Sequence, residues 1–517
     1  MRGAAFDAVI VGGGHNGLVA AGYLARAGQR VLLLERLDHV GGAAVSAPAF
    51  DGVDARISRY SYLVSLLPQK IVKDLGVRIP LVRRTYSSYT PDPASGGRTG
   101  LLIGPRSTFA AVGAAADEPG FGEFYRRCRL VTEPLWPTLT EPLRTRDQAR
   151  RHVIGGNARA DAAWETLICT PLGHAITDSV RSDLVRGVML TDGLIGTFAR
   201  ANAESLAQNV CFLYHLLGGG TGHWDVPVGG MGAVSAALAA AAAGHGADIT
   251  TGAEVYSITP DGDVRYRRGD QDCEVHARVV LANVTPAVLA RLTGDPEPDL
   301  AQGAQVKVNL MLRRLPRLAD RTVTPEQAFG GTFHINESYC QLDAAFERAE
   351  AGNVPSPLPC EVYCHSLADP TILAEELRDS GAHTLTVFGL HTPHRLVEND
   401  PEQTRDRLTA AVMESLNSVL AEPIQDVLML DSAGLPCVET KTTADLEHSL
   451  GMTAGNIFHG ALRWPFAGDD EPLDTAARCW GVATEHDRIL LCGSGSRRGG
   501  AVSGIGGHNA AMAVLQG

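Results

Sequence analysis

The clearest candidate chemistry lies in a glycine-rich run near the start of the chain. The run GGGHNG begins at Gly12 and satisfies the pattern GxGxxG. In this pattern the first glycine permits a tight turn, the second lets the backbone approach a pyrophosphate, and the third lets a helix pack closely on a strand. Glu35 follows Gly17 by 18 residues, and an acidic side chain there suits ribose hydroxyls. The spacing predicts a dinucleotide site that uses Gly12, Gly14, Asn16, Gly17 and Glu35.

The segments around this run are those that such a site requires. Residues 8–11 are an apolar run that predicts a buried strand, and residues 18–27 carry helix-forming Ala, Leu and Arg. Gly28 ends that helix, and residues 31–34 are a second apolar strand, typical of a parallel sheet covered on both faces. The helix N-terminus offers free N–H groups and the positive end of its dipole to a phosphate. We therefore expect a βαβ unit with the glycine run at its turn.

A second glycine pair indicates which dinucleotide binds. Gly41 and Gly42 follow Glu35 by six residues. A pair at this place is expected where the chain folds back over an extended FAD rather than an NAD. A separate nicotinamide domain would need another fingerprint, and the run that begins at Gly493 has Arg498 in the position of the third glycine. We therefore expect FAD as the cofactor and no nicotinamide domain.

Several segments resemble a known flavoprotein family. They are the run PVGGMG at 227–232, the run TGAEV at 251–255, and the stretch from Leu491 to Asn509. The sequence here is similar to the family that contains bacterial phytoene desaturases, amine oxidases and Rab GDP-dissociation inhibitors. The runs SRYSYLVSLL at 58–67 and GNIFHG at 455–460 resemble the phytoene-dehydrogenase-like branch, which includes pyridine nucleotide-disulfide oxidoreductase domain-containing protein 2.

The resemblance implies further cofactor contacts. Val255 matches the strand residue whose backbone meets the adenine. Gly493 and the loop through Val502 to Gly504 match the segment beside the ribityl chain and the isoalloxazine ring. Many relatives have Arg directly after the glycine pair, whereas this chain has Ala43. The contact that this guanidinium makes with the pyrophosphate in relatives is therefore either absent here or supplied by Arg36 or another residue.

Catalytic side chains are harder to identify, because hydride transfer is the flavin's chemistry and the protein mainly positions the substrate and excludes water. His459 is either an acid/base or hydrogen-bonding group near the flavin or a packed loop residue. Tyr60 lies either beside the ring or in the core. The chain has no GxSxG elbow, no HExxH motif and no CxxxxC pair near the first βαβ unit. We expect neither metal dependence nor dithiol chemistry.

These signals predict an α/β fold in which a Rossmann-like FAD-binding domain is interleaved with an α+β substrate or cap domain. We assign residues 1–85, 225–300 and 436–517 to the FAD-binding domain. The substrate or cap domain then comprises residues 86–224 and 301–435, where helix-like stretches are followed by longer strands.

Composition excludes some partners. The net charge is −13, so a nucleic-acid partner is not expected. No run approaches the roughly 18 apolar residues that a membrane helix needs, which leaves membrane contact at most peripheral. The ten cysteines show no CxxC spacing, which is typical of reduced thiols in a cytoplasmic protein.

Three functions are compatible with these features. The first is an FAD-dependent oxidoreductase that dehydrogenates a C–C, C–N or C–O bond of a mostly apolar small molecule and passes the electrons to oxygen or a quinone. The second is a flavin-dependent isomerase without net redox turnover. The third is a binding protein of the GDP-dissociation-inhibitor type that has lost the flavin.

Overall fold

The computed structural model describes residues 5–517. The strands are β1 (Ala5–Val11), β2 (Val31–Leu34), β3 (Ser46–Ala47), β4 (Ile57–Ser58), β5 (Leu81–Val82), β6 (Ser88–Pro91), β7 (Gly100–Ile103), β8 (Val226–Pro227), β9 (Asp248–Thr250), β10 (Ala253–Ile258), β11 (Asp263–Arg268), β12 (Gln271–Ala282), β13 (Val306–Leu312), β14 (Thr332–Ile335), β15 (Cys360–Tyr363), β16 (His383–Gly389), β17 (Val438–Lys441) and β18 (Ile489–Leu491).

The helices are α1 (His15–Arg26), α2 (Gln69–Asp74), α3 (Glu118–Leu135), α4 (Arg146–Ile154), α5 (Ala158–Trp164), α6 (Leu172–Ser179), α7 (Asp183–Leu190), α8 (Ala207–Leu217), α9 (Met231–Gly244), α10 (Pro286–Thr293), α11 (Pro325–Phe329), α12 (Tyr339–Glu350), α13 (His365–Ala368), α14 (Glu375–Asp379), α15 (Pro401–Asn417), α16 (Thr443–Leu450), α17 (Ala476–Cys479) and α18 (Ile505–Gln516). None of the helices in the described part of the chain has the length and apolarity that a membrane crossing requires.

The first sheet has a parallel core in the order β9–β2–β1–β12–β18, and the hairpin β10–β11 pairs antiparallel with the first half of β12. All four residues of β2 are buried, as expected of a strand covered on both faces. Helices α1, α9 and α18 pack together against this sheet through the core that includes Leu18, Leu24 and Val234. The predicted βαβ unit and the Rossmann-like fold class are thus confirmed.

The second sheet has the order β17–β13–β16–β15–β14–β6–β7, and its pairs are antiparallel except for β14 with β6. Every residue of β13, β14 and β15 is buried. Residues from α15, including Leu408 and Val412, belong to the apolar core of this sheet. A third core, which is mainly helical, joins α3 to α8 around the fully buried Trp164.

The chain passes between the two sheets several times, as an interleaved arrangement requires. Val438–Lys441 falls within the segment 436–517 that the sequence assigns to cofactor binding, yet it pairs with β13 in the second sheet. Val180 is extended and separates α6 from α7, which begins at Asp183. The assignment of whole segments to two domains remains our proposal.

Candidate active site

The glycine loop between β1 and α1 has no room for larger side chains. A Cβ placed on Gly17 would lie 2.3 Å from the carbonyl oxygen of Gly12, and one on Gly12 would lie 2.6 Å from the carbonyl oxygen of Asn283. Gly12 has φ of 101°, where side chains are disfavoured. Gly14 precedes α1 without a side-chain cap, and no acidic residue lies in the first turn. The N-terminus of α1 is therefore open to an anion.

Glu35 is held beside this loop by two backbone hydrogen bonds. Its Oε2 accepts from the N–H of Gly13 at 2.7 Å, and its Oε1 accepts from the N–H of Leu37 at 2.9 Å. The residue is only 7% exposed. Two backbone donors fix the orientation of this buried carboxyl group. The carboxylate lines the cavity described below, as a ribose-binding acid would.

The second glycine pair lies directly on the first loop. The N–H of Gly41 donates to the carbonyl of Gly13 at 2.8 Å. Gly42 has φ of 56°, and a Cβ on it would lie 3.2 Å from the Cα of Gly14. The two glycine segments thus form one cradle, which is the close backbone approach that an extended dinucleotide needs.

Asn283 joins β12 to the cradle and was not identified from the sequence. Its side-chain amide donates to the carbonyls of Gly12 at 2.9 Å and Gly14 at 3.4 Å. Its own N–H donates to the carbonyl of Val11. The only sequence signal was its place directly after a buried strand at the carboxyl edge of the sheet.

One cavity of about 970 Å³ extends from the cradle to the face of the second sheet. The predicted residues that line it are Gly12, Gly14, Asn16, Glu35, Arg36, Gly42, Tyr60, Val255, His459 and Val502. Apolar side chains line much of its remainder, among them Leu63, Leu66, Ile195, Phe388 and Leu462. A long cavity that is polar at the cradle, and is lined elsewhere by apolar side chains together with several ionisable ones, fits both a dinucleotide and a small molecule.

Four predicted glycines support the cavity without lining it. Gly17 and Gly41 shape the cradle. Gly493 faces Asn283, whose Oδ1 would lie 3.0 Å from a Cβ at that position. Gly504 precedes α18 with φ of 70°, and a Cβ there would meet Val19 at 2.9 Å. These two residues set the close approach of the C-terminal loop and α18 to the first βαβ unit.

Arg36 and Asn16 differ in how their polar groups are used. The guanidinium of Arg36 donates to the carbonyl of Ser449 at 2.6 Å, at the C-terminal end of α16, so it is already engaged there. This placement gives no support to the idea that Arg36 replaces the arginine absent at Ala43. Asn16 is 1% exposed, and its Oδ1 has no hydrogen-bond partner among the described residues. It offers a free acceptor at the cradle.

The two predicted catalytic residues both lie on the cavity wall. Tyr60 is half-buried, and its backbone carbonyl accepts from the Nζ of Lys307 at 2.8 Å. His459 has φ of 62°, and its Nδ1 is buried without a partner in the described chain. Burial lowers the pKa of His459 to about 4, and burial together with the neighbouring His459 lowers the pKa of His15 to about 4. Both imidazoles are therefore neutral at pH 7.

A buried lysine is the main cavity residue that sequence reasoning missed. Lys307 lies on β13, is 5% exposed, and donates to the carbonyls of Ser58 and Tyr60. Burial lowers its pKa to about 7, although Glu439 acts in the opposite direction. A charged residue within the otherwise mostly apolar run VKVNLML was the available signal.

A second missed group lies at the sheet end of the cavity. His334 Nδ1 lies 2.7 Å from Glu337 Oε2, and the hydroxyl of Thr191 lies 2.8 Å from the same oxygen. Thr191 also lies 3.2 Å from Glu361 Oε1, and Tyr363 donates to the other oxygen of Glu361.

None of the ten cysteines lines the cavity, and all are unpaired.

Family models and known proteins match this chain over most of its length. Residues 10–69 match the model of an NAD(P)-binding Rossmann-like domain, and residues 172–433 match the model of the flavin containing amine oxidoreductases. An uncharacterized protein of Mycobacterium tuberculosis is 66% identical over 99% of this chain and 97% of its own length. Pyridine nucleotide-disulfide oxidoreductase domain-containing protein 2 of Rattus norvegicus is 30% identical, over 99% of this chain and 93% of its own length.

Among solved structures, a putrescine oxidase variant has a TM-score of 0.59 at 16% sequence identity, with each chain covered in full. This likeness concerns the fold. The family model spans just over half of the 517 residues, and the cradle, the fixed carboxylate and the long cavity fit the FAD that the family uses. The chain therefore belongs to the family of flavin-containing amine oxidoreductases and is an FAD-dependent oxidoreductase.

Proposed function

We propose that the protein dehydrogenates a mostly apolar small molecule, with electrons passed on to oxygen or a quinone. The observation that carries this proposal is a continuous cavity that joins the cradle to the face of the second sheet. A separate substrate pocket is not needed, because the same cavity continues from the cofactor site to the face of the second sheet. We call this second part, which is lined by Ile195, Phe388 and other apolar side chains, the chamber. When bound, FAD supplies the hydride acceptor at N5.

In this proposal the chain's own residues bind, orient and exclude water. Gly12, Gly14 and Gly42 hold the pyrophosphate, and Glu35 binds the ribose. Val255 lies at the adenine end, and Val502 lies on the wall that the C-terminal loop contributes. Apolar side chains such as Ile195 and Phe388 hold the substrate and keep water from the reacting bond.

His459 and Tyr60 have different proposed tasks. With its pKa near 4, His459 is a neutral imidazole at pH 7, so it serves as a hydrogen-bonding group and lacks the imidazolium proton that a general acid would give. The backbone carbonyl of Tyr60 accepts a hydrogen bond from Lys307, so this segment positions the Lys307 amino group at the cavity wall. We therefore favour hydrogen bonding for His459 and positioning for Tyr60 over acid/base roles.

The test is anaerobic mixing of the FAD-loaded protein with apolar amines, alcohols and alkenes, including cyclohexylamine, cyclohexanol and limonene, which share a six-membered carbon ring. Loss of the visible flavin band with at least one class supports the proposal. If dithionite bleaches the flavin but no compound does, the proposal is contradicted. Admitting oxygen or a soluble quinone to the reduced protein then identifies the acceptor by the faster return of the band.

A further inference from the structure

One row of side chains crosses the face of the second sheet that lines the chamber. His334 on β14 is paired with Glu361 on β15, Glu361 with Phe388 on β16, and Phe388 with Lys307 on β13. Paired residues in neighbouring strands point to the same face, and all four line the cavity. Strands lie about 4.8 Å apart, so roughly 10 Å separates the strands that carry Glu361 and Lys307. In this row Glu361 and His334 lie on one side of Phe388, which we call the acidic end, and Lys307 lies on the other side.

The hydrogen-bond contacts around Glu361, at the acidic end, favour an extra proton there. The hydroxyl of Thr191 lies within hydrogen-bond distance of both Glu337 Oε2 and Glu361 Oε1. It has one proton and can donate to only one of them. The other contact joins two acceptors unless a carboxyl group holds a proton. Glu337 Oε2 also faces the Nδ1 of His334, so the proton is better placed on Glu361. A protonated Glu361 would donate to the Thr191 hydroxyl, whereas an ionised Glu361 would accept from it.

Burial and charge support the same assignment. Glu361 is 2% exposed and Glu337 is 1% exposed, so two ionised carboxylates here would be poorly solvated. Burial, and then the charge of Glu337, raise the pKa of Glu361 to about 8. Burial alone would lower the pKa of His334, but the neighbouring Glu337 raises it overall.

Other titratable groups interact electrostatically with Glu361. They are Tyr363 on the same strand, Asp192 after α7, Arg84 before β6, Tyr62 before α2, Cys211 on α8 and Cys360 on β15. Asp192 opposes ionisation of Glu361, and the charge of Arg84 favours it. The thiols and phenols are neutral near pH 7, since burial raises the pKa of each.

We propose that Glu361 is the proton acceptor of the dehydrogenation and that Thr191, Glu337 and His334 form the relay that sets its protonation. The inference rests on the proposed function. As a hydride leaves one substrate atom for the flavin, the adjacent C–H, N–H or O–H gives its proton to the Glu361 carboxylate, and its electron pair completes the new double bond. Beforehand, the shared proton moves through the Thr191 hydroxyl to Glu337, which leaves Glu361 as a carboxylate.

The first experiment needs no substrate. Infrared difference spectra of FAD-loaded protein carrying ¹³C-glutamate are recorded across pH 6 to 10, in the wild type and in Glu361→Gln. We expect an isotope-sensitive carboxylic acid band that disappears as the pH rises past about 8 and that is missing from the variant. Glu376→Gln, on the exposed surface of α14, is the matched control and should keep the band. A band that survives in Glu361→Gln, or its absence from the wild type, overturns the proposal.

The second experiment uses the compound that bleaches the wild-type flavin fastest in the anaerobic panel. Wild-type bleaching tests the proposed function by itself, and the variants test this inference. We expect Glu361→Gln to keep its FAD and melting temperature but to slow bleaching by about 100-fold or more. The wild-type rate should rise with pH in step with loss of the infrared band. Thr191→Val, which removes the bridge, should shift that pH dependence.

Two results would contradict the inference while leaving the proposed function intact. One is an unchanged bleaching rate in Glu361→Gln. The other is a stoichiometric divalent metal in the purified protein that Glu361→Gln loses, because His334, Glu337 and Glu361 each have an N or O atom within 4.8 Å of the others. The carboxylate would then bind a cation instead of accepting a proton.

Discussion

The carboxylate of Glu35 accepts a hydrogen bond from the backbone N–H of Gly13, at 2.7 Å, across 22 residues of sequence. This bond connects the end of β2 to the turn between β1 and α1. It fixes the acid beside the cradle before any ligand binds, so little reorganisation is needed on binding.

We expect Glu35→Gln to weaken FAD binding by about 10- to 100-fold, because hydrogen bonds to a charged group contribute about 1.5–3 kcal/mol. The amide keeps one acceptor but loses the charge and one of the two acceptor positions. FAD affinity measured by quenching of flavin fluorescence checks this. Asp38→Asn, at a highly exposed neighbouring carboxylate, should leave the affinity unchanged.

Gly17→Ala tests the close packing of α1 on the glycine loop. Its Cβ would lie 2.3 Å from the backbone oxygen of Gly12, which cannot move aside like a flexible side chain. We expect a loss of about 1–3 kcal/mol in the free energy of unfolding, together with poor FAD retention. Gly244→Ala, in α9 with open space around it, is the control and should be neutral or slightly stabilising. Equal melting temperatures for the two variants would contradict this account.

Lys307 gives a pH-dependent prediction. Its pKa is about 7 in the folded protein and about 10.4 in an unfolded chain, so between these values the unfolded state binds more protons. Wild-type stability therefore gains from rising pH in this window, at about 1.4 kcal/mol per unit well above pH 7. Lys307→Met removes that gain.

Urea denaturation at pH 7 and pH 9 measures the effect. The stability of Lys307→Met relative to the wild type should fall by about 2 kcal/mol between the two pH values. The comparison cancels the titration of groups that both proteins share. A difference that does not change with pH would mean that Lys307 titrates normally in the folded state.

Two substitutions at His459 distinguish the effect of its backbone strain from the role of its side chain in the reaction. Its φ of 62° suits Asn better than Ala, so His459→Asn should be about 1 kcal/mol more stable than His459→Ala. Both variants should bleach more slowly, because both remove a hydrogen-bonding ring from the cavity wall. Since its pKa is about 4, neither variant should change the pH profile above pH 6. Loss of a pH-dependent limb near neutrality in both variants would show that His459 acts as an acid or base.

The sequence was most informative where the site residues lie close together in the chain. The cradle lies within 31 positions, from Gly12 to Gly42, and its turn, helix start and acid have fixed spacing. The Rossmann-like fold class and FAD were therefore predictable and are confirmed. The roles of individual site residues remain proposals.

The sheet end of the chamber was not predictable in the same way. Lys307, Glu361 and His334 come from strands that are far apart in the chain, and they meet only through the register of β13, β16, β15 and β14. The available signal in β13, β14 and β15 was an ionisable side chain, that of Lys307, His334 or Glu361, within a buried strand. Which of these residues face a common cavity depends on pairing that no local pattern specifies.

The central claim is most directly tested by a single anaerobic turnover of FAD-loaded protein with the best compound of the panel, followed by mass spectrometry of the product. We predict one product that has lost a hydrogen pair for each flavin bleached. A product isomeric with its substrate, formed while the flavin returns to its starting spectrum, would contradict dehydrogenation and favour the isomerase alternative.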